Sequence, residues 1–96
     1  MTKTSKKKPK VRKVEFSLSA PQANSVSIAG DFNQWNTSLH PLKQDKKGTW
    51  RILLGLNPGG QYEYRFFVDG KWQNDPNSRS FRENPFGTLN CLKIVE

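Results

Sequence analysis

Residues 62–73, YEYRFFVDGKWQ, are predicted to form two β-strands joined by a tight turn. Apolar side chains occupy every second position of the first half, which is the period of a strand with one face against a core. The DG dipeptide that follows predicts a two-residue type I′ turn, because Asp and Gly tolerate the positive φ of its central positions. In that register Phe67 lies opposite Trp72 and shares the outer face with Arg65, so this face is aromatic and basic. The core face carries Tyr62, Tyr64, Phe66 and Val68.

Two short alternating segments precede this hairpin at the start of the chain. The first, residues 13–18, is closed by Pro21, and the second is residues 23–29. Their predicted core faces carry Val14, Phe16, Leu18, Val26 and Ile28. Residues 49–56, TWRILLGL, form a further predicted strand that turns Trp50 toward the core, and the turn NPGG follows it.

The end of the chain contains one more predicted strand, residues 88–96. We expect Leu92 and Ile94 to face inward there, and residues 77–87 to form a loop. Short strands separated by turn residues about ten positions apart are typical of an all-β immunoglobulin-like sandwich. The predicted fold therefore has six to eight short antiparallel strands.

The loop GDFNQWN, residues 30–36, places two aromatic residues in a polar segment. Aromatic residues in a loop either fill a gap in the core or contact a ligand. We expect Phe32 to fill the core and Trp35 to make the contact.

The positive charge is concentrated at the start of the chain. The sequence of 96 residues is long enough for one domain and has a formal net charge of +8. Residues 1–13 hold seven bases and no acid, so the remaining 83 residues are nearly neutral. Residues 1–12 are predicted to form a basic, disordered leader, and residues 13–96 the folded domain. Nucleic acid is not an expected partner, because the leader lacks interleaved aromatic residues.

The chain has no apolar stretch that suggests a signal peptide or a membrane span of about 20 residues. Cys91 is the only cysteine, which excludes an internal disulfide and favours a reducing, cytoplasmic compartment. We expect its thiol to be partly buried in the last strand.

Nothing in the sequence indicates catalysis. A glycosidase needs two carboxylates flanking one bond, but the eight acids here lie in turns or are scattered singly. His40 is the only histidine and has no nucleophile or metal-binding partner at a recognisable spacing. We therefore predict a protein without catalytic residues, metal or cofactor.

Three segments together resemble carbohydrate-binding module family 48, the isoamylase N-terminal or early set domain. They are GDFNQWN, YEYRFFVDGKWQNDP and FGTLN, and they occur in the order found in that family. The resemblance covers about Val14 to Val95. The family includes the glycogen-binding domain of the AMP-activated protein kinase β subunit and accompanies branching and debranching enzymes of glycoside hydrolase family 13.

The resemblance implies an immunoglobulin-like sandwich that binds α-1,4-glucans, such as glycogen or starch, on one sheet face. Two tryptophans of the family stack on glucose rings, and Trp35 and Trp72 match them. Arg65 stands where the family has lysine, and Phe86 where it has leucine. The carbohydrate-binding residues implied in this way are Trp35, Arg65, Trp72, Phe86, Thr88 and Asn90.

Three functions remain open from the sequence. The first is a non-catalytic module that binds α-glucans. The second is a protein-interaction module that docks on a separate glycan-processing enzyme or kinase without binding sugar itself. The third is binding of a polyanion by the Lys-rich leader. The sequence does not indicate an oligomeric state.

Overall fold

The computed structural model describes residues 11–96, so the predicted leader lies almost wholly outside the described residues. Eight strands and one short 3-10 helix, Asp31–Asn33, occur in this part of the chain. In chain order the strands are β1 (Arg12–Ser19), β2 (Val26–Gly30), β3 (Lys43–Gln44), β4 (Thr49–Leu56), β5 (Gln61–Val68), β6 (Lys71–Gln73), β7 (Phe81–Glu83) and β8 (Leu89–Ile94). No helix among residues 11–96 is long and apolar enough to cross a membrane.

The strands form two antiparallel sheets that face each other. One sheet has the order β1-β4-β3, and the other has the order β2-β5-β8-β7 with β6 also paired to β5. Alternate side chains of both sheets point into the space between them, where they bury apolar surface. The largest buried apolar residues are Phe16, Leu18, Ile28, Leu42, Trp50, Leu54, Leu56, Tyr64 and Phe66. The predicted immunoglobulin-like β-sandwich is confirmed, and so is the inward position of Trp50.

The β5–β6 hairpin has the predicted turn and register. Asp69 and Gly70 have φ values of 49° and 83°, as a type I′ turn requires. Phe67 lies opposite Trp72. The Asp69 carboxylate also accepts hydrogen bonds from the backbone N–H groups of Asn24 and Ser25, at 2.9 and 2.8 Å. The turn is therefore tied to the segment that leads into β2.

A polar cluster lies inside the sandwich beside the middle of β5. The hydroxyl of Tyr64 donates a hydrogen bond of 2.7 Å to the buried carboxylate of Asp75. Burial raises the pKa of the Tyr64 phenol, and the bond to Asp75 raises it further. The backbone N–H of Asp75 lies 3.2 Å from the sulfur of Cys91. The polar groups in this part of the core are thus paired with one another.

The predicted orientation of the last strand was wrong. Cys91 pairs with Tyr64 and points into the core, where it is wholly buried rather than partly buried. Leu92 is only half-buried and Ile94 is 49% exposed. The segment LNCLKIV has apolar residues on both faces, so its alternation does not specify which one is buried. Pairing with β5 decides the orientation.

Two predicted boundaries also differ from the structure. Residues 77–87 are not entirely loop, because they contain β7, which pairs with β8. All three residues of β7 are exposed, so no alternating pattern marked this strand. The second strand begins at Val26 rather than at residue 23, since the chain turns at residues 21–22 and remains irregular to residue 25.

Candidate functional site

A groove of about 490 Å³ lies on the face of the five-stranded sheet that points away from the core. Three segments meet there: the loop after β2, the β5–β6 hairpin and the turn between β7 and β8. The groove is lined by Trp35, Arg65, Trp72, Asn84, Pro85, Phe86, Thr88 and Asn90. All six residues proposed from the sequence are in this set, so the fold brings residues 55 positions apart in the chain into one site.

The loop after β2 can lie close to the sheet because β2 ends in glycine. A Cβ atom on Gly30 would lie 2.3 Å from the carbonyl oxygen of Glu63, a distance that no side chain tolerates. Asn33 is buried and holds the loop from inside: its Oδ1 accepts a hydrogen bond from the Gly30 N–H at 3.0 Å. Its Nδ2 lies 2.8 Å from Nδ1 of His40. His40 therefore has a structural contact that its isolated position in the sequence did not indicate.

The backbone of this loop turns Trp35 outward while Phe32 stays inside. Phe32 packs against the core, with its ring 6.0 Å from that of Phe16, which confirms its predicted position. Gln34 and Trp35 both have positive φ, at 55° and 58°. That conformation is costly for residues other than glycine and persists only where the surroundings impose it.

Trp72 lies at the centre of an aromatic cluster. Its ring is 6.1 Å from that of Trp35, with 69° between the two planes, and 4.9 Å from that of Phe67. The guanidinium carbon of Arg65 lies 6.0 Å from the same ring, close enough for a cation–π contact. Phe67 thus packs against Trp72, as the predicted hairpin register requires. Trp72 is 43% exposed despite these neighbours.

Arg65 is oriented by the residue that follows the hairpin. Its Nε donates a hydrogen bond of 2.7 Å to Oδ1 of Asn74. The Asn74 side chain in turn donates to the carbonyl oxygen of Leu89 at 3.0 Å. Within residues 11–96 the two Nη atoms of Arg65 have no protein hydrogen-bond partner, so they are available as donors in the groove.

The opposite wall comes from the turn between β7 and β8. Phe86 is 88% exposed at the tip of that turn, and Thr88 is exposed beside it. Asn90 lies deeper, at 7% exposure, with its side-chain amide bonded to Asn84 and Glu63. The sequence argument missed Asn84 and Pro85. Their Asn-Pro dipeptide is a known turn signal and could have identified them.

The groove has the chemistry of a binding surface. Aromatic rings and amide, hydroxyl and guanidinium groups line it, and none of the lining residues is a carboxylate. Such a set can cover apolar faces and form hydrogen bonds, but it contains no pair of acids for hydrolysis. Residues 11–96 also contain no cluster of three or more His, Cys, Asp or Glu side chains able to hold a metal ion.

Another cavity, of about 340 Å³, lies between β1, β8 and the segment that precedes β7. Its lining is mostly polar or charged, including Glu15, Arg79 and Lys93. None of the six proposed binding residues lines this cavity, and neither does any tryptophan. The outer groove is therefore the better candidate for recognition of a ring-shaped ligand.

Known proteins resemble this chain over most of its length. The family described as "Glycogen recognition site of AMP-activated protein kinase" matches residues 13–96. A 1,4-alpha-glucan branching enzyme of Salinibacter ruber is 32% identical over 78 residues, which are 80% of this chain and 12% of the enzyme. The AMP-activated protein kinase subunit beta-2 of Mus musculus is 39% identical over 71 residues, which are 74% of this chain and 25% of that subunit.

The chain thus spans a quarter or less of the length of these relatives. The match of residues 13–96 to one family confirms the resemblance seen in the three sequence segments, and it agrees with the two-sheet fold. This chain belongs to the family of glycogen-recognition domains typified by that of the AMP-activated protein kinase.

Proposed function

We propose that this chain is a non-catalytic module that binds α-1,4-glucans by stacking Trp35 and Trp72 on glucose rings. Family membership supports carbohydrate recognition in general. The groove supports the finer statement, because it contains both tryptophans together with Arg65 and Phe86.

The observation that carries the proposal is the angle of 69° between the two indole planes. A β-1,4-linked glucan is a flat ribbon and fits aromatic rings that share one plane. An α-1,4-linked chain curls, so that its successive rings face different directions. Two indoles set at a steep angle can each cover the C–H face of a glucose ring in such a curled chain.

Polar groups between the aromatic rings would select among the hydroxyls of the sugar. Arg65 offers its free Nη donors, and Asn90 offers an amide at the base of the groove. The groove is open and covers only a few sugar rings. We therefore expect weak binding of a short oligosaccharide, with a Kd of about 10 μM to 1 mM. Several modules on one glycogen particle would bind more tightly through avidity.

Calorimetric titration with maltoheptaose tests this proposal. We expect Trp35→Ala and Trp72→Ala each to weaken binding by about tenfold or more, since each removes one stacking surface. Leu53→Ala is a matched control, because Leu53 is an exposed apolar residue of the three-stranded sheet, which lacks the groove. Titration with cellohexaose, a β-1,4-linked chain, tests whether binding depends on the α-1,4 linkage. Absence of binding by the wild-type chain, or equal affinity of both tryptophan variants and wild type, would overturn the proposal.

A second candidate function is docking on another protein. Its support is that the matched relatives carry this segment as a small part of a longer chain, one of them a kinase subunit. If the chain docks on another protein and does not bind sugar, the wild-type chain would not bind maltoheptaose. The Trp72→Ala variant would then still assemble with a kinase or glucan-processing partner. Binding of a polyanion by the leader stays a prediction about residues that the structure does not describe.

A further inference from the structure

We infer that Asn84 is a positioning residue of the groove: it holds Phe86, Thr88 and Asn90 in the arrangement that receives the sugar. This inference rests on the proposed function and extends it to a residue that the sequence did not single out. Asn84 is half-buried at the start of the turn between β7 and β8.

The carbonyl end of the Asn84 side chain shapes the turn. Its Oδ1 accepts hydrogen bonds from the backbone N–H groups of Phe86 and Thr88, at 3.0 and 3.2 Å. The Asn84 backbone closes the same turn by donating to the Thr88 carbonyl at 2.8 Å and accepting from Gly87 at 3.1 Å. Phe86 is almost fully exposed, so core packing does not hold it. The conformation of the turn therefore sets the position of its ring.

The amide end of Asn84 reaches the other two residues. Its Nδ2 lies 2.8 Å from Oγ1 of Thr88 and 3.0 Å from Oδ1 of Asn90. The Nδ2 of Asn90 donates in turn to Oε1 of Glu63 at 3.0 Å. The orientation of the Asn90 amide is therefore set from both sides. One N–H and one lone pair of that amide remain for a ligand.

This arrangement prepares the wall of the groove before a ligand arrives. Ordering a flexible side chain on binding weakens affinity, and a contact that orders it beforehand removes that cost. Without Asn84, the ligand would have to order the turn, the Phe86 ring and the Asn90 amide. We expect that loss to weaken binding of maltoheptaose by about tenfold.

Two substitutions distinguish the contributions of the carbonyl and amide ends of the Asn84 side chain. Asn84→Ala removes both, whereas Asn84→Asp keeps the acceptor for the turn and places an oxygen opposite Oδ1 of Asn90. Asn77→Ala is a matched control in an exposed segment away from the groove. We expect calorimetry with maltoheptaose to show about a tenfold loss for Asn84→Ala, a smaller loss for Asn84→Asp and wild-type affinity for Asn77→Ala.

A structural role elsewhere in the domain would lower stability, so thermal unfolding is measured on the same samples. We expect a small change in Tm for both Asn84 variants, because the core does not include this turn. Amide relaxation measured by NMR should show faster motion of Phe86 and Thr88 in sugar-free Asn84→Ala than in the sugar-free wild-type chain, and bound sugar should reduce that motion.

A double-mutant cycle shows whether Asn84 acts through Phe86. If it does, Asn84→Ala weakens binding less in a Phe86→Ala background than in the wild-type chain. Equal losses in both backgrounds, or wild-type affinity of Asn84→Ala, would overturn the inference and leave the proposed function standing. Absence of maltoheptaose binding by the wild-type chain would overturn the proposed function and this inference together.

Discussion

Gly30 is where the strand β2 ends and the loop carrying Trp35 begins, and its lack of a side chain determines how the loop meets the sheet. Gly30 pairs with Tyr64 of β5, and a Cβ atom on Gly30 would overlap the Glu63 carbonyl and crowd Tyr64. Asn33 then fixes the loop with buried hydrogen bonds of its own side chain. The position of Trp35 therefore depends on Gly30 and Asn33, two residues that do not line the groove themselves.

Gly30→Ala should lower the free energy of unfolding by about 1–3 kcal/mol, because the added methyl group overlaps the Glu63 carbonyl and the Cβ of Tyr64. Urea unfolding followed by circular dichroism measures the loss. Gly70→Asn is the control: Gly70 faces open space, and asparagine tolerates its positive φ better than other side chains. A Gly30→Ala variant as stable as wild type would show that the loop can move away from the sheet at little cost.

The β5–β6 hairpin is the element whose sequence predicted its structure most fully. Strict alternation and the Asp-Gly turn defined both strands, the turn type and the outward position of Trp72. Elements with weaker local signals were mispredicted. β7 is too short to show a period, and β8 is apolar on both faces, so only pairing with β5 determines that Cys91 and not Ile94 is buried.

Some residues of the candidate site were likewise proposed from the sequence, and others were not. Trp35, Arg65 and Trp72 were proposed from residue type and hairpin register, whereas Phe86, Thr88 and Asn90 were proposed only through the family resemblance. Asn84 was not proposed, since its importance lies in side-chain hydrogen bonds to Thr88 and Asn90. These bonds depend on the pairing of β7 with β8, and the short β7 showed no pattern from which that pairing could be predicted.

Asp69 in the turn of the β5–β6 hairpin is expected to contribute to the stability of the domain. Asp69→Ala removes the acceptor for the backbone N–H groups of Asn24 and Ser25 and places alanine at a φ of 49°. We expect a loss of about 1–3 kcal/mol in the free energy of unfolding. Asp69→Asn should lose less than half as much, because asparagine keeps an acceptor oxygen and tolerates the turn. Equal losses for the two variants in thermal or urea unfolding would contradict this account.

For the whole molecule, the five-stranded sheet keeps the core and the candidate binding groove on opposite faces. One of its faces contributes to the core and the other carries the groove, so alternate residues of β5 serve the two purposes. Substitutions in the groove should therefore change binding with little change in folding. Cys91 offers a direct measure of folding, since it lies on the core face and is wholly buried.

Modification of Cys91 by a thiol reagent should require unfolding of the domain. Burial raises the pKa of the thiol, so the native protein holds it protonated and out of reach. At neutral pH we expect labelling to be at least about a thousandfold slower than in concentrated urea, in keeping with the stability of ordinary domains. Comparable rates in the two conditions would show that the sandwich opens locally at β8.

The same thiol contributes to the dependence of stability on pH. Its pKa in the folded chain is higher than the ordinary value of 9.0, so the unfolded chain loses the proton first as pH rises. The contribution is fully present below that value and declines as pH rises toward the folded pKa. In Cys91→Ala the part of the alkaline decline that Cys91 causes should be absent from urea unfolding, after correction for the lower stability expected from the cavity. The part caused by the raised pKa of Tyr64 should remain.

The edge-to-face geometry of Trp35 and Trp72 has an optical consequence. Two indole chromophores held this close and at a steep angle couple their electronic transitions, and the sign and size of the resulting circular-dichroism couplet depend on their mutual orientation. Trp50, buried between the sheets, lies outside that pair. The groove therefore carries its own spectroscopic label, one that reports the angle between Trp35 and Trp72 without any added probe.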